Sequence, residues 1–240
     1  MVGRARPHDD PPSMGSLQLA DRLRLTVITD EELARPRALS DVVREALAAG
    51  APTIQLRLKG ATARELLEAA HTLIPIVRSA GALFIVNDRL DVALAAGADG
   101  VHLGPDDPPV MDARAVAGAR VVAAGTLSAA ADAFIVGYST DTTAGAARAE
   151  AEGADYLGVG AVYATANKSD AGEVIGLEGL RRVVEAVSIP VVAIGGITPE
   201  RARAVAETGA CGSAAIGAVM GSPEPAEAVR ALLLPFGGAA

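Results

Sequence analysis

From Leu23 onward one rhythm governs where the chain is apolar and where it is polar. A short aliphatic or β-branched run ends in a glycine or polar turn, and an Ala-rich amphipathic stretch follows. The runs with strand character are 23–29, 53–57, 83–87, 100–104, 134–139, 156–162, 191–196 and 214–219. Helical periodicity occupies 63–80, 89–96, 143–154, 177–187 and 198–210. Thr198 followed by Pro199 reads as an N-cap with proline at the first helical position. Pro75 lacks an N–H and is expected to kink or split its helix. The tetrapeptides Gly97–Gly100, Gly153–Tyr156 and Gly209–Gly212 recur as a helix stop followed by strand entry. The stretch 120–133 fits a strand, an extra helix or an insertion.

Near-continuous apolar strands alternating with helices call for a parallel sheet covered on both faces. Eight such units in about 215 residues favour a closed (β/α)8 TIM barrel, an α/β fold, over an open doubly wound sheet. The expected organisation is a flexible, disordered leader over 1–22 and one barrel domain over 23–236. The start, MVGRARPHDDPPSMGS, has little to bury, and His8 lies in it.

Composition narrows the chemistry. Only 2% of residues are aromatic while 26 are glycine, so the core must be built from Ala, Val, Leu and Ile packed against small residues. A net charge of -8 argues against nucleic-acid binding, which wants basic patches. An anionic small molecule remains compatible where local cations, backbone N–H groups or a metal supply the positive field. Cys211 is the single cysteine, so no intrachain disulfide forms and a reducing cytoplasm is expected. A small buried hydrophobe is the favoured reading of Cys211 over a catalytic thiol. No apolar run reaches the ~18 residues of a membrane span, and the start lacks a signal peptide's apolar stretch.

In a (β/α)8 barrel the site lies at the C-terminal ends of the strands. Gln55, Arg57 and Lys59 fall at or after the end of the second run, Asn87 and Asp88 at the third, and Asp106 and Asp107 after the fourth. Ser139 ends the fifth run and Lys168 lies in the loop after the sixth. Gly195 and Gly196 end the seventh, and the eighth runs into Ile216 and Gly217. Arg57 and Lys59 alternate with Leu56 and Leu58, so both should point one way, toward a ligand. One βαβ unit sets the third and fourth strand ends side by side, so Asp88 and Asp107 can converge. Two carboxylates, waters and a diphosphate suit Mg²⁺. The plain alternatives are a helix N-cap for Asp88 and a solvated turn for Asp107. Lys168 reads as a phosphate contact or a solvated charge. Gly195-Gly196 reads as a phosphate-binding turn or simply a tight one. His102 is read as a satisfied structural hydrogen bond before a catalytic group, and His71 as exposed mid-helix.

The stretches TVITD, IQLRLK, NDRLDVALAAGADGVHLGPDD, GYST, GADYLGVGAVYATANKSDAG, IGLEGL and VVAIGGI, in this order, resemble the thiamine-phosphate synthase family. The resemblance runs from about Leu25 to Met220. It implies a Mg²⁺-dependent transferase of thiamine biosynthesis on a TIM barrel. Such an enzyme couples 4-amino-2-methyl-5-hydroxymethylpyrimidine diphosphate to 4-methyl-5-(2-phosphooxyethyl)thiazole, giving thiamine phosphate and pyrophosphate. By resemblance, Gln55, Leu56, Arg57, Leu58, Lys59, Asn87, Ser139 and Lys168 contact the pyrimidine diphosphate. Asp88 and Asp107 hold the metal. Thr165, Ala166, Asn167, Gly195, Gly196, Ile216 and Gly217 line the thiazole phosphate site. Lys168, Ser139, Arg57 and Lys59 take the catalytic roles. As partners the resemblance implies the two small-molecule substrates, with no nucleic acid and no membrane, and it allows a homo-oligomer.

The chain departs from the family pattern at several places. Leu58 stands for the Glu of Gln-Leu-Arg-Glu-Lys, Thr165-Ala166-Asn167-Lys168 for Thr-Pro-Thr-Lys, and Ile216-Gly217 for Val-Ser. Asp141 stands for the histidine after the fifth strand, and Asp107 to Ser139 is about a dozen residues longer, with the surplus at 120–133. Two alternatives stay beside this reading. One is a thiazole tautomerase-like isomerase on the same barrel, and the other a non-catalytic phosphate-ligand-binding barrel.

Overall fold

The structure, a computed structural model, describes residues 14–123, 134–165 and 173–237. Among these residues eight parallel strands close into a barrel in sequence order. They are β1 Leu25–Ile28, β2 Thr53–Leu56, β3 Leu83–Asn87, β4 Gly100–Leu103, β5 Ile135–Thr140, β6 Tyr156–Val159, β7 Val191–Ile194 and β8 Gly212–Ala215. The ring closes where Leu25 and Thr26 of β1 pair with Ser213 and Ala214 of β8. Around it run α1 Met14–Arg22, α2 Glu31–Ala34, α3 Leu39–Ala48, α4 Ala63–Ser79, α5 Leu90–Ala96 and α6 Val110–Ala123. Then follow α7 Thr143–Ala151, α8 Gly176–Val184, α9 Pro199–Ala206, α10 Gly217–Met220 and α11 Pro225–Leu233. The expected (β/α)8 architecture is the one observed.

Alternation along each strand divides the core in two. Leu25, Val27, Ile54, Leu56, Phe84, Val86, Val101, Leu103, Leu157 and Val159 face outward into the layer shared with the helices. Leu23, Ile28, Tyr156, Val192 and Ala214 form a second cluster inside the barrel, with Leu19, Ile135 and Cys211 packed against it. The interior has room for few large groups, and glycine provides that room. A Cβ on Gly137 would lie 2.2 Å from Tyr156 Cζ and 2.6 Å from His102 Nδ1, and one on Gly158 would lie 2.9 Å from His102 Cε1. This is how a chain so poor in aromatics fills its barrel, with one tyrosine and one histidine seated against glycines.

The recurring junctions show a shared device. Asp99 and Asp155, just before β4 and β6, donate their N–H groups to the carbonyls of Phe84 and Val136 in the preceding strands, at 2.9 and 2.8 Å. Their carboxylates accept the N–H groups of the same two residues at 2.8 and 2.7 Å. Each aspartate thus satisfies both backbone groups of its neighbour at the bottom of the barrel. Cys211 holds the corresponding place before β8 and makes the backbone half alone, 2.9 Å to Val191 O.

Three differences from the sequence reading have physical causes, and one open reading is narrowed. Met14–Arg22, assigned to the leader, is a helix, and Leu19 packs against the interior cluster at the barrel floor. Helix α4 continues through Pro75, whose ring is exposed, so water can serve the carbonyl that loses its partner. The last strand is shorter and earlier than 214–219, because Gly217–Met220 turn into a helix although they are as apolar as a strand. The ambiguous stretch is helical through Ala123, and its continuation lies outside the described residues. Replacing Gly137 with Ala should cost about 3 kcal/mol, the upper range for overpacking a filled core. Urea unfolding checks this, and an unchanged midpoint would show that the ring of Tyr156 can move aside.

Candidate active site

The C-terminal strand ends open into a cleft of about 430 Å³. Its walls include Ser139, Thr140, Asp141, Thr165, Gly195, Gly196, Thr198, Ile216 and Gly217. Beneath it, Gln55, Arg57, Asn87, His102, Ser139 and Tyr156 line a narrow space in the barrel interior. The two spaces share Ser139, Gly158, Ile194, Ala214 and Ile216.

Five of the interior polar side chains bond to one another, while the buried Thr26 hydroxyl in the same space has no hydrogen-bond partner among the described residues. Gln55, buried on β2, donates from Nε2 to Asn87 Oδ1 at 2.7 Å, joining β2 to β3. His102 is bonded on both ring nitrogens, 2.9 Å from the Tyr156 hydroxyl and 2.8 Å from Ser139 Oγ. The satisfied hydrogen bond expected of His102 is present. Burial pushes the Tyr156 phenol well above its ordinary pKa, with the Asp155 carboxylate and the Cys211 side chain adding to the effect. Arg57 sits just past the end of β2. The Thr29 hydroxyl accepts its N–H and donates to its carbonyl, both at 2.8 Å. Its guanidinium lies 4.0 Å from Asp30, whose carboxylate also caps α2 through Leu33 N–H. Arg57 is thus held half-buried at the mouth.

Leu56 faces the other way and is fully buried in the barrel–helix layer, so its side chain cannot reach the cleft. Leu58 packs against the same layer from outside the strand. Lys59 stands exposed in the following turn rather than continuing the alternation with Arg57, because β2 ends at Leu56.

Asp88 and Asp107 occupy adjacent strand ends, where Asn87 pairs with His102 in register. Asp88 N–H donates to His102 O at 2.8 Å with φ at 62°, the one non-glycine positive φ among the described residues. Such a conformation costs free energy and concentrates at functional positions. Arg89 holds the N-cap position of α5, and its side chain makes no cap bond. Asp107 turns back to accept Gly104 N–H on Oδ2 at 2.7 Å, so the turn is an organised one. Neither aspartate lines the cleft itself, though Pro105 of the same turn does.

On the opposite wall, Gly195 and Gly196 have φ of 98° and 63°. Added side chains there would meet Ala161 Cα at 2.7 Å and Ala164 O at 2.7 Å. Tyr163 N–H donates to Gly195 O, and Arg201 donates to Gly196 O at 2.7 Å while stacking on the Tyr163 ring at 4.5 Å. The β6–α8 loop is thereby tied to this turn. Thr165, in the same loop, lines the cleft. Ala166, Asn167 and Lys168 lie outside the described residues.

Cys211 lies at the far end of β8 from the cleft, and burial pushes its thiol up to about 12, so it is inert as a nucleophile. His71 is exposed on α4 as expected.

The comparisons with known proteins decide the family. The sequence model of the thiamine monophosphate synthase family matches residues 25–219. The chain belongs to the thiamine monophosphate synthase family. Within it, the thiamine-phosphate synthase of Moorella thermoacetica is 47% identical over 208 residues, covering 87% of this chain and 93% of that one. That of Methanoculleus marisnigri is 49% identical over 87% of this chain and 92% of its own. The solved thiamine phosphate pyrophosphorylase of Pyrococcus furiosus superposes with a TM-score of 0.78 at 46% identity, covering 91% of this chain and 97% of that one. A 3-hexulose-6-phosphate synthase, at 20% identity and a TM-score of 0.60, shares the barrel alone.

Sequence reasoning missed Tyr156, Thr198 and Asp30. Tyr156 shares its inward face with Gly158 two residues on, and that parity is the signal that could have found it. Gly196→Ala should lose about 2 kcal/mol or more of stability, from strain at positive φ plus the collision with Ala164 O. It should also weaken inorganic phosphate binding, read by calorimetry. Unchanged phosphate affinity would remove this turn from the anion site.

Proposed function

We propose that the chain is a synthase joining a hydroxymethylpyrimidine diphosphate to a thiazole phosphate, with release of pyrophosphate and formation of thiamine phosphate. The observation that carries this reading is that the interior polar set and the glycine-walled cleft share Ser139 in their linings. Identity of 47% to a thiamine-phosphate synthase over nearly nine tenths of the chain supports it. The isomerase and non-catalytic alternatives lose support because the relatives named above are synthases and pyrophosphorylases.

The bond changes are few. The C–O bond between the pyrimidinylmethyl carbon and the diphosphate breaks, and the diphosphate keeps the electron pair. The electron-rich pyrimidine stabilises the cation left behind, and the thiazole nitrogen lone pair forms the new C–N bond. No side-chain nucleophile is needed. The chain's part is to hold both partners at bonding distance, to bind the departing charge and to keep water away. Gln55, Asn87 and Ser139 are placed to orient the pyrimidine diphosphate. Arg57 brings positive charge to the mouth, with Lys59 and Lys168 as further cations of the site. The N–H groups of the Gly195-Gly196 turn and of Gly217 face the thiazole phosphate, where missing side chains let an anion approach.

The donor set fits Mg²⁺. From adjacent strand ends, Asp88 and Asp107 would supply two carboxylates. Hard oxygen donors in small number suit an ion that keeps waters and takes phosphate oxygens. Asp88 and Asp107 would hold it, and when bound it neutralises charge on the diphosphate. A reducing compartment agrees with Cys211 being the sole cysteine, and among the described residues no helix is long and apolar enough to cross a membrane.

The test mixes the purified protein with both substrates and Mg²⁺ and follows thiamine phosphate and pyrophosphate by chromatography. Product that disappears with EDTA is the expected result, and absence of product from folded protein contradicts the reading. Asp88→Asn should keep its melting temperature, since Asn tolerates positive φ well, while turnover falls by about 100-fold or more. Near wild-type turnover in that variant would take Asp88 out of the metal site.

A further inference from the structure

Tyr156 is 2% exposed, and its hydroxyl has one hydrogen-bond partner among the described residues, His102 Nδ1 at 2.9 Å. The ring leans against His102 with centroids 5.4 Å apart, and both rings are seated over Gly137 in room that a Cβ would fill. A phenol in this position keeps its proton, because burial disfavours the phenolate. The proton must be donated somewhere. Were Nδ1 to carry hydrogen, Tyr156 would accept that bond and leave its own O–H buried and unpaired. An unmade donor costs more than an unfilled lone pair on the same oxygen.

We propose that Tyr156 donates to His102 Nδ1, fixing the ring as its Nε2–H tautomer, so that His102 donates to Ser139 Oγ and Ser139 is left as a hydrogen-bond donor toward the cleft. The chain of bonds is directional. Each link settles the next, from a phenol at the barrel interior to a hydroxyl on the cleft wall 2.8 Å from Nε2. Ser139 then selects an acceptor, such as a ring nitrogen or a phosphate oxygen, and disfavours an amino group at the same place. Tyr156 and His102 are positioning residues, acting through Ser139. The inference rests on the synthase reading only for what occupies the cleft.

Nuclear magnetic resonance of the full, ¹⁵N-labelled chain tests the tautomer directly. The sequence has three histidines, so replacing His8 and His71 with Gln leaves His102 alone to observe. Without ligand, Nδ1 should resonate as a bare ring nitrogen and Nε2 as a protonated one. In Tyr156→Phe the Nδ1–H form should become populated. The reverse tautomer, or a ring protonated at both nitrogens, overturns the proposal. In turnover, Tyr156→Phe should lower kcat about tenfold, the worth of one hydrogen bond, with KM for the pyrimidine diphosphate within about twofold. On a Ser139→Ala background the same change should add less than about twofold, because residues acting through one another are not additive. A full tenfold loss on that background would mean that Tyr156 acts on the fold and not through Ser139. Should the wild-type chain make no thiamine phosphate, the functional reading fails while the resonance measurement still decides the relay.

Discussion

Closure of eight parallel strands on a narrow interior is the constraint from which the remaining features follow. Every second strand residue must point into that space, and the space cannot hold eight large side chains per layer. The chain answers with glycine at 100, 137, 158 and 212, each a position where a Cβ would collide with a neighbour. Tyr156 and His102 occupy room that Gly137 and Gly158 release. The interior is therefore filled by two rings that are hydrogen-bonded as well as packed, and one of them reaches the cleft wall through Ser139.

The interior also changes character along the barrel axis. At the floor Leu19, Leu23, Ile135, Val192 and Cys211 make an apolar plug. Toward the mouth come Gln55, Asn87, His102 and Ser139, which bond to one another or to Tyr156. The bonded polar upper layer presents fixed donors and acceptors to a ligand. The outer mouth then adds charge where it can be solvated, with Arg57 on one side and Asp88 and Asp107 on the next. The one non-glycine positive φ among the described residues, that of Asp88, also lies at this rim.

Much of this was legible in the sequence, for a reason that can be stated. In a parallel barrel the functional residues follow the apolar runs, so finding a run finds the end of a strand. Asn87, Asp88, Ser139, Gly195 and Gly196 were located this way, and the structure puts each at a strand end or in the turn after it. What periodicity could not give was parity and length. Leu56 and Arg57 are neighbours in a motif, yet one is sealed behind the barrel wall and the other is at the mouth. Lys59 stands in the turn after β2, which stops three residues earlier, so strand alternation does not set its direction. Ile216 to Val219 are apolar enough to pass for strand, and their helical turn is set by packing that a linear pattern does not carry. The same holds for Met14–Arg22, whose helix closes on the barrel floor through Leu19.

The central claim is that one continuous site holds both reaction partners, with Ser139 where the two halves meet. Thiamine phosphate carries both halves in one molecule, so competition calorimetry with this product tests the claim most directly. It should bind one per chain and displace both a pyrimidine diphosphate and a thiazole phosphate. Displacement of only one of them, or of neither, would mean that the interior set and the glycine-walled cleft are separate sites.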